Sequence, residues 1–312
     1  MKLLVTGASG LLGLNLCLQA APQHLVLGVA RRRLAFAPFE TVAADLLEGA
    51  TVPQVLDSSG PDGVVHCAAA ADLDYCEAHP ELARRLNTDV AEQIARECRA
   101  RRIRLVHIST DAVFDGTKEG AYSESDEPHP QGVYATTKRD AEMAVAASNP
   151  EAIMVRVNFY GWSLSGRRSL GEFFANNLSH GAAVLGFTDV TFCPAFVGDL
   201  ADTLLKLLAS DLHGVYHAVG KEAMSKFEFG TAIARKFGFD ESLISPASVE
   251  RSGLSARRSH NLWLATDKLS TDLGQSFPSF STGLDKFHRQ YLEGFPQRIS
   301  RYQQPAEVEP GR

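Results

Sequence analysis

The chain has 312 residues, 45% hydrophobic and 22% charged, an ordinary globular composition with room for one large α/β domain or two small ones. Its formal net charge of −6 gives no general attraction to nucleic acid or to an anionic membrane. No apolar run approaches the roughly 20 residues of a spanning helix, and the short apolar start "MKLLVTGASG" runs straight into glycines, unlike a secretory signal.

Five scattered cysteines (Cys17, Cys67, Cys76, Cys98, Cys193) form no CxxC pair and read as reduced thiols of a cytoplasmic protein. The histidines show no metal-ligand spacing, so no metal is expected.

In chain order, "KLLVTG" is a short buried strand running into glycine, followed by the helical pattern "LLGLNLCLQAA". "HLVLGVA", "DGVVHCAAA" and "RIRLVHIST" are further strands, with a long helix "PELARRLNTDVAEQIARECRAR" between the last two. A turn-rich loop, "FDGTKEGAYSESDEPHPQG", precedes a helix opening near Val133, and "EAIMVRVNFYG" is another strand. This alternation predicts an α/β fold, a Rossmann-like doubly wound parallel sheet with helices on both faces. After Gly161 the pattern loosens. "SLGEFFANNLSHG", "VGDLADTLLKLLAS", "SKFEFGTAIARKFG" and "STGLDKFHRQYLEG" read as helices, the third with Ser225 as N-cap and Gly238 as stop. The expected organisation is a nucleotide-binding domain over 1–160, to which residues near 190–220 return. A smaller C-terminal α/β substrate domain covers 161–295, and 296–312 is a frayed tail.

"VTGASGLLG" places Gly7, Gly10 and Gly13 after the first strand and at the opening of a helix. The first allows a tight turn, the second close approach to a pyrophosphate, and the third packing of helix on sheet. The loop residues Ser9, Leu11 and Leu12 lie at the helix N-terminus, whose free N–H groups suit phosphate. The second strand ends in "GVARRRL", not in the acidic residue that would bond both ribose hydroxyls of NAD. Arg31 and Arg32, with Arg33, suit a 2′-phosphate, so NADP(H) is expected ahead of NAD(H). Asp45 is read either as a partner of the adenine amino group beside Leu46 or as a helix N-cap. The small side chains Ala68, Ala69 and Ala70 leave room for a cofactor at the sheet edge. Asn87, in the long helix, is placed to hold a water or backbone near the site.

The strand ending "HISTD" delivers Ser109 and Thr110 to the carboxyl edge where open α/β sheets bind ligands. In "GVYATTK", Tyr134 and Lys138 are one helical turn apart on one face. A carbonyl that accepts hydride needs a proton donor and a hydrogen bond to its growing negative charge. Tyr134 supplies the proton and Thr110 the hydrogen bond. A neighbouring ammonium, Lys138, is expected to lower the phenol's pKa. His107 is read as a core residue, and Trp162 and Trp263 as packing residues.

"TGASGLLG", "HISTD" and "YATTK", in this order and spacing, resemble the extended short-chain dehydrogenase/reductase family. "STDAVFDG", "VYATTKRDAE", "FTDVTFCPAFVGDLAD" and "ARRSHNLWLATDKL" are similar to its dTDP-4-dehydrorhamnose reductase branch. The resemblance implies NADPH-dependent reduction of the C4 ketone of a nucleotide-linked 4-keto-6-deoxy sugar, with Thr110, Tyr134 and Lys138 as catalytic triad. It further implies a sugar-nucleotide substrate as partner, a possible homodimer, and substrate contacts from Ser109, Ala112, Asn158, Phe159, Arg257 and Arg258. Two alternatives share these residues: an epimerase or dehydratase that recycles a bound cofactor, and a non-catalytic subunit like the β subunit of methionine adenosyltransferase. Ala112 and Phe159 stand where the reductases usually carry a tyrosine and a tryptophan, and Leu12 where they usually carry a glutamine.

Overall fold

A computed structural model of the chain describes residues 1–251 and 259–303. Six runs form strands β1 (Lys2–Thr6), β2 (Leu25–Ala30), β3 (Glu40–Ala43), β4 (Gly63–His66), β5 (Arg104–Thr110) and β6 (Ile153–Val157), all but the edge strand β3 largely buried. With an edge strand, Gly214–Ala218, they make a seven-stranded parallel sheet in the order edge–β6–β5–β4–β1–β2–β3. From β1 the chain winds outward to β3, then returns to β4 on the other side of β1. The carboxyl ends of β1 and β4 therefore flank the point where the winding reverses, which is where such sheets open a ligand crevice.

The helices of the first half are α1 (Leu11–Ala20), α2 (Thr51–Ser59), α3 (Leu73–Ala78), α4 (Pro80–Arg84), α5 (Val90–Arg101) and α6 (Val133–Ser148). Those of the second half are α7 (Leu170–Ser179), α8 (Val197–Leu208), α9 (Lys226–Phe237), α10 (Asp267–Asp272), α11 (Phe280–Leu292) and α12 (Phe295–Ser300). Alternating strand residues bury two cores. Leu3, Val5, Val65, Val106 and Val155 pack with Leu14 of α1 and with Leu200 and Leu204 of α8. Leu4, Val64, Leu105 and Met154 pack with Ile94 and Cys98 of α5 and Val145 of α6. The helix that the sequence reads as continuous over residues 80–101 is one path broken by a π-turn at Arg85–Asp89. That turn buries Asn87 to 1% exposure, and such turns commonly sit at functional sites.

Beyond β6, small sheets pair Val184–Phe187 with Ile244–Ala247, and Thr191–Phe192 with Met224–Ser225 and Asn261–Leu262. Helices α7, α9 and α11 close over an aromatic cluster of Tyr160, Phe174, Phe229 and Phe287. Ser225 caps α9 through a reciprocal bond pair with Glu228, and Gly238 ends it at φ 73°. Trp162 packs as expected: it stacks on Phe287 at 4.2 Å and its indole N–H donates to the Phe287 carbonyl. Trp263 is 39% exposed, so its packing is only partial.

The C-terminus differs from the frayed tail expected from 296. Phe295, Ile299 and Tyr302 recur at helical spacing and are all buried, and α12 docks on α11. The apolar stripe is only three residues long and is diluted by Pro296, Gln297 and Arg298, so its period escapes a sequence reading. Ile299→Ala should lower stability by about 2–5 kcal/mol in urea unfolding. A cost within ~0.5 kcal/mol of zero would mean that α12 carries none of the fold's stability.

Candidate active site

Thr6 ends β1, and Gly7 turns the chain at φ 71°, closed by the Gly10 N–H donating to the Gly7 carbonyl at 2.8 Å. A Cβ on Gly7 would stand 2.8 Å from the Ala68 nitrogen, and one on Gly13 would stand 2.3 Å from the Gly7 oxygen. Both contacts are with backbone, so neither side can yield. The loop thus presses against the end of β4 and the start of α1. Gly10 occupies the N-cap of α1 without a side-chain cap, and the first turn holds no acidic residue. The helix end keeps its positive dipole and its N–H donors, as an anion site requires. Ser9 is exposed beside it. Leu11 and Leu12 turn their side chains into the core, so only their backbone N–H groups are on offer to a ligand.

Arg31, Arg32 and Arg33 follow β2 directly and are all exposed. Asp45 is exposed and its carboxylate accepts the Leu47 N–H at 3.0 Å. It caps no helix, because α2 begins only at Thr51, so the N-cap alternative is set aside. Leu46 is buried against the second core, and its backbone is the part that a ligand could reach. Ala68, Ala69 and Ala70 are partly exposed at the end of β4. Asn87 spends its amide on the protein. It accepts the Ala70 N–H at 2.8 Å and donates to the Ala70 carbonyl and the Thr137 hydroxyl. It holds the backbone beside the crevice with both of its N–H donors and one of the two lone pairs of its oxygen. The glycine cradle, the open helix end and the three exposed arginines fit a phosphorylated dinucleotide.

Thr110 closes β5, and Tyr134 and Lys138 come from the first turns of α6. The Thr110 hydroxyl stands near enough to the Tyr134 phenol to lower its pKa. Lys138 is 3% exposed, and its ammonium donates to the Ile108 carbonyl at 2.6 Å and to His107 Nε2 at 3.1 Å. Burial lowers its pKa to about 8, against the raising influence of Glu142 and Cys67. Tyr134 differs from expectation. Its phenol is pushed up to about 12, chiefly by burial, and the Thr110 hydroxyl only partly offsets this. Lys138 is not among the influences on the phenol; its ammonium is bonded to β5.

The other substrate candidates divide. Ser109 points away from the edge: it is 3% exposed and donates to Glu142, itself paired with Arg156 at 2.8 Å. Side chains alternate along β5, so the neighbour of Thr110 must face the opposite side. The Asn158 amide, partly exposed, donates one of its N–H groups to Asp111 at 2.5 Å. Ala112 and Phe159 are partly exposed near this pair, in a 3-10 turn and in a short strand. Arg257 and Arg258 lie outside the described residues. Two groups at the site carry more than the sequence reading assigned them. His107 is buried as expected, yet it is bonded to Lys138. Asp111 is 4% exposed and accepts from both Thr110 and Asn158, and burial raises it to about 6. Both letters stand in "HISTD", but the motif does not say which way each side chain turns.

Residues 1–293 match the family described as RmlD substrate binding domain. The chain belongs to that family. It is an extended short-chain dehydrogenase/reductase of the dTDP-4-dehydrorhamnose reductase-like branch. A probable low-salt glycan biosynthesis reductase of Haloferax volcanii is 33% identical over 288 residues, covering 91% of this chain and 96% of the relative. Methionine adenosyltransferase 2 subunit beta of Mus musculus is 34% identical over 294 residues, covering 91% and 86%. Among solved structures, the dTDP-4-dehydrorhamnose reductase of Bacillus anthracis in complex with NADP superposes with a TM-score of 0.84. It is 26% identical, with 94% of this chain and 99% of that one covered.

The environment of Asp111 has a measurable consequence. A carboxyl raised in the folded chain binds its proton more tightly there than in the unfolded one. It therefore contributes stability that is complete below about pH 4 and is lost as pH rises through about 6. Relative to Asp111→Asn, the native protein should lose on the order of 3 kcal/mol across that window, measured by denaturant unfolding at each pH. Parallel pH curves for the two proteins would contradict this account.

Proposed function

We propose that this member of the family is an NADPH-dependent reductase of a nucleotide-linked 4-keto-6-deoxy sugar. The observation that carries the reading is the meeting of Thr110, Tyr134 and Lys138 at one sheet edge, beside the glycine turn of β1. NADPH, when bound, supplies the hydride to the ketone carbon. Gly7 and Gly10 let the backbone approach its pyrophosphate, and the start of α1 offers N–H donors. Arg31 and Arg32 meet its 2′-phosphate with charge-assisted bonds.

Tyr134 is the proton donor. With its pKa at about 12 it is fully protonated at neutral pH, and it delivers its proton only as the ketone oxygen becomes basic. Thr110 lies within reach of the same oxygen and stabilises the charge as it grows. Lys138 uses two of its three N–H donors on Ile108 and His107, leaving one for the nicotinamide ribose. Asp111 restrains this chemistry when ionised, because it takes the Thr110 proton that the substrate oxygen needs.

Tyr134→Phe should lower NADPH-dependent reduction of dTDP- or UDP-4-keto sugars about 10²–10⁴-fold while NADPH binding is kept. Unchanged turnover would remove Tyr134 from the mechanism. Arg31→Ala with Arg32→Ala should weaken NADPH about 10–100-fold and leave NADH within a few-fold, measured by fluorescence titration. Equal losses for both cofactors would sink the 2′-phosphate assignment.

A second reading rests on the relative that is a methionine adenosyltransferase subunit, 34% identical. In that reading the same cofactor site serves a regulatory subunit without turnover of its own. NADPH binding by the native protein, with no net NADPH consumption on the keto-sugar panel, favours it over the reductase.

A further inference from the structure

Behind the reacting edge, polar side chains of three adjacent strands lie in one row. Thr6 of β1 is in register with His66 of β4, and His66 with His107 of β5. All three are buried, at 2%, 1% and 0% exposure. The Thr6 hydroxyl accepts the Ala68 N–H at 3.2 Å and lies 2.7 Å from His66 Nδ1. Among the described residues that nitrogen is the one acceptor beside the Thr6 hydroxyl, so we assign the hydroxyl proton to it and place the proton of the neutral His66 ring on Nε2. The two imidazoles stand 5.3 Å apart, centroid to centroid. At the far end, His107 Nε2 faces the Lys138 ammonium, which has only donors to give, so that nitrogen must be bare and the proton must sit on Nδ1. His66 Nε2 and His107 Nδ1 have no hydrogen-bond partner.

Leaving two buried polar atoms unsatisfied is costly. The arrangement makes sense if it holds both rings neutral, so that an acceptor and not a second cation faces the lysine. Burial and the nearby ammonium do hold both histidines well below their ordinary pKa, His66 at about 3.

We propose that His107 is a positioning residue for Lys138: its neutral Nδ1–H tautomer, packed beside the ring of His66, keeps the buried lysine charged and aimed. The role of Lys138 in turnover rests on the reductase reading, whereas the tautomer and the lysine's titration do not. The other titratable groups around the lysine are Glu142 on its own helix, which is paired with Arg156, then Cys67 after β4, His66, and Tyr134 across the site.

The test is nuclear magnetic resonance on protein carrying 15N-histidine and 15N-lysine, with His107→Gln and Lys138→Met used for assignment. His107 should show a bare Nε2 and a protonated Nδ1 from neutral pH down to about 5. In His107→Leu the Lys138 titration should move down by about one pH unit or more, because a hydrogen bond to its charged form is lost. His107→Gln, which restores an acceptor, should return it to near the native value. A proton on His107 Nε2 in the native protein would overturn the proposal even if the leucine variant failed to fold. So would a lysine titration that is the same in the leucine and glutamine variants. Native resonance results as expected, together with no keto-sugar reduction, would leave this proposal standing and remove the reductase reading.

Discussion

A lysine ammonium at 3% exposure keeps its charge only if the protein accepts its protons. Here the acceptors are a carbonyl and an imidazole of β5, and that requirement organises the site. It ties α6 to β5, and Tyr134 stands one turn earlier on the same helix. The phenol of Tyr134, on the same helix, is governed chiefly by its own burial.

The same helix resolves a second buried charge one turn later. Glu142 is paired with Arg156 of β6 and accepts from Ser109, with Arg156 stacked at 4.9 Å over the Phe114 ring. A buried pair of this kind adds little net stability over apolar packing, but breaking one partner is expensive. Its effect is to lock α6 to β5 and β6. Asn87 does the same from the other flank, clasping Ala70 and Thr137 with one amide. The residues meant to touch ligand are thus few, and those that hold them in place are many.

The fold was readable because its signals are local: short apolar strands, intervening helices, and glycines where a Cβ would strike backbone. Gly7, Gly10 and Gly13 announce the turn by spacing alone, and so do Ser225 and Gly238 at the ends of α9. The candidate site was readable where a motif names a residue and an element end positions it, as with Thr110 at the end of β5 and Tyr134 and Lys138 at the start of α6. It was misread where the answer depended on which way a side chain turned. Ser109 sits beside Thr110 in the sequence yet turns away from it and donates to Glu142.

By itself, then, the order of residues determined the parallel sheet, the position of its crevice and which side chains are candidates for the reaction, since each follows from periodicity or spacing along the chain. Only the tertiary structure decided their chemical states. Whether a tyrosine is an acid near 12, an aspartic acid half-protonated near 6 or a histidine a permanent acceptor depends on burial and on partners from distant strands. Those partners meet only once β1, β4 and β5 lie side by side.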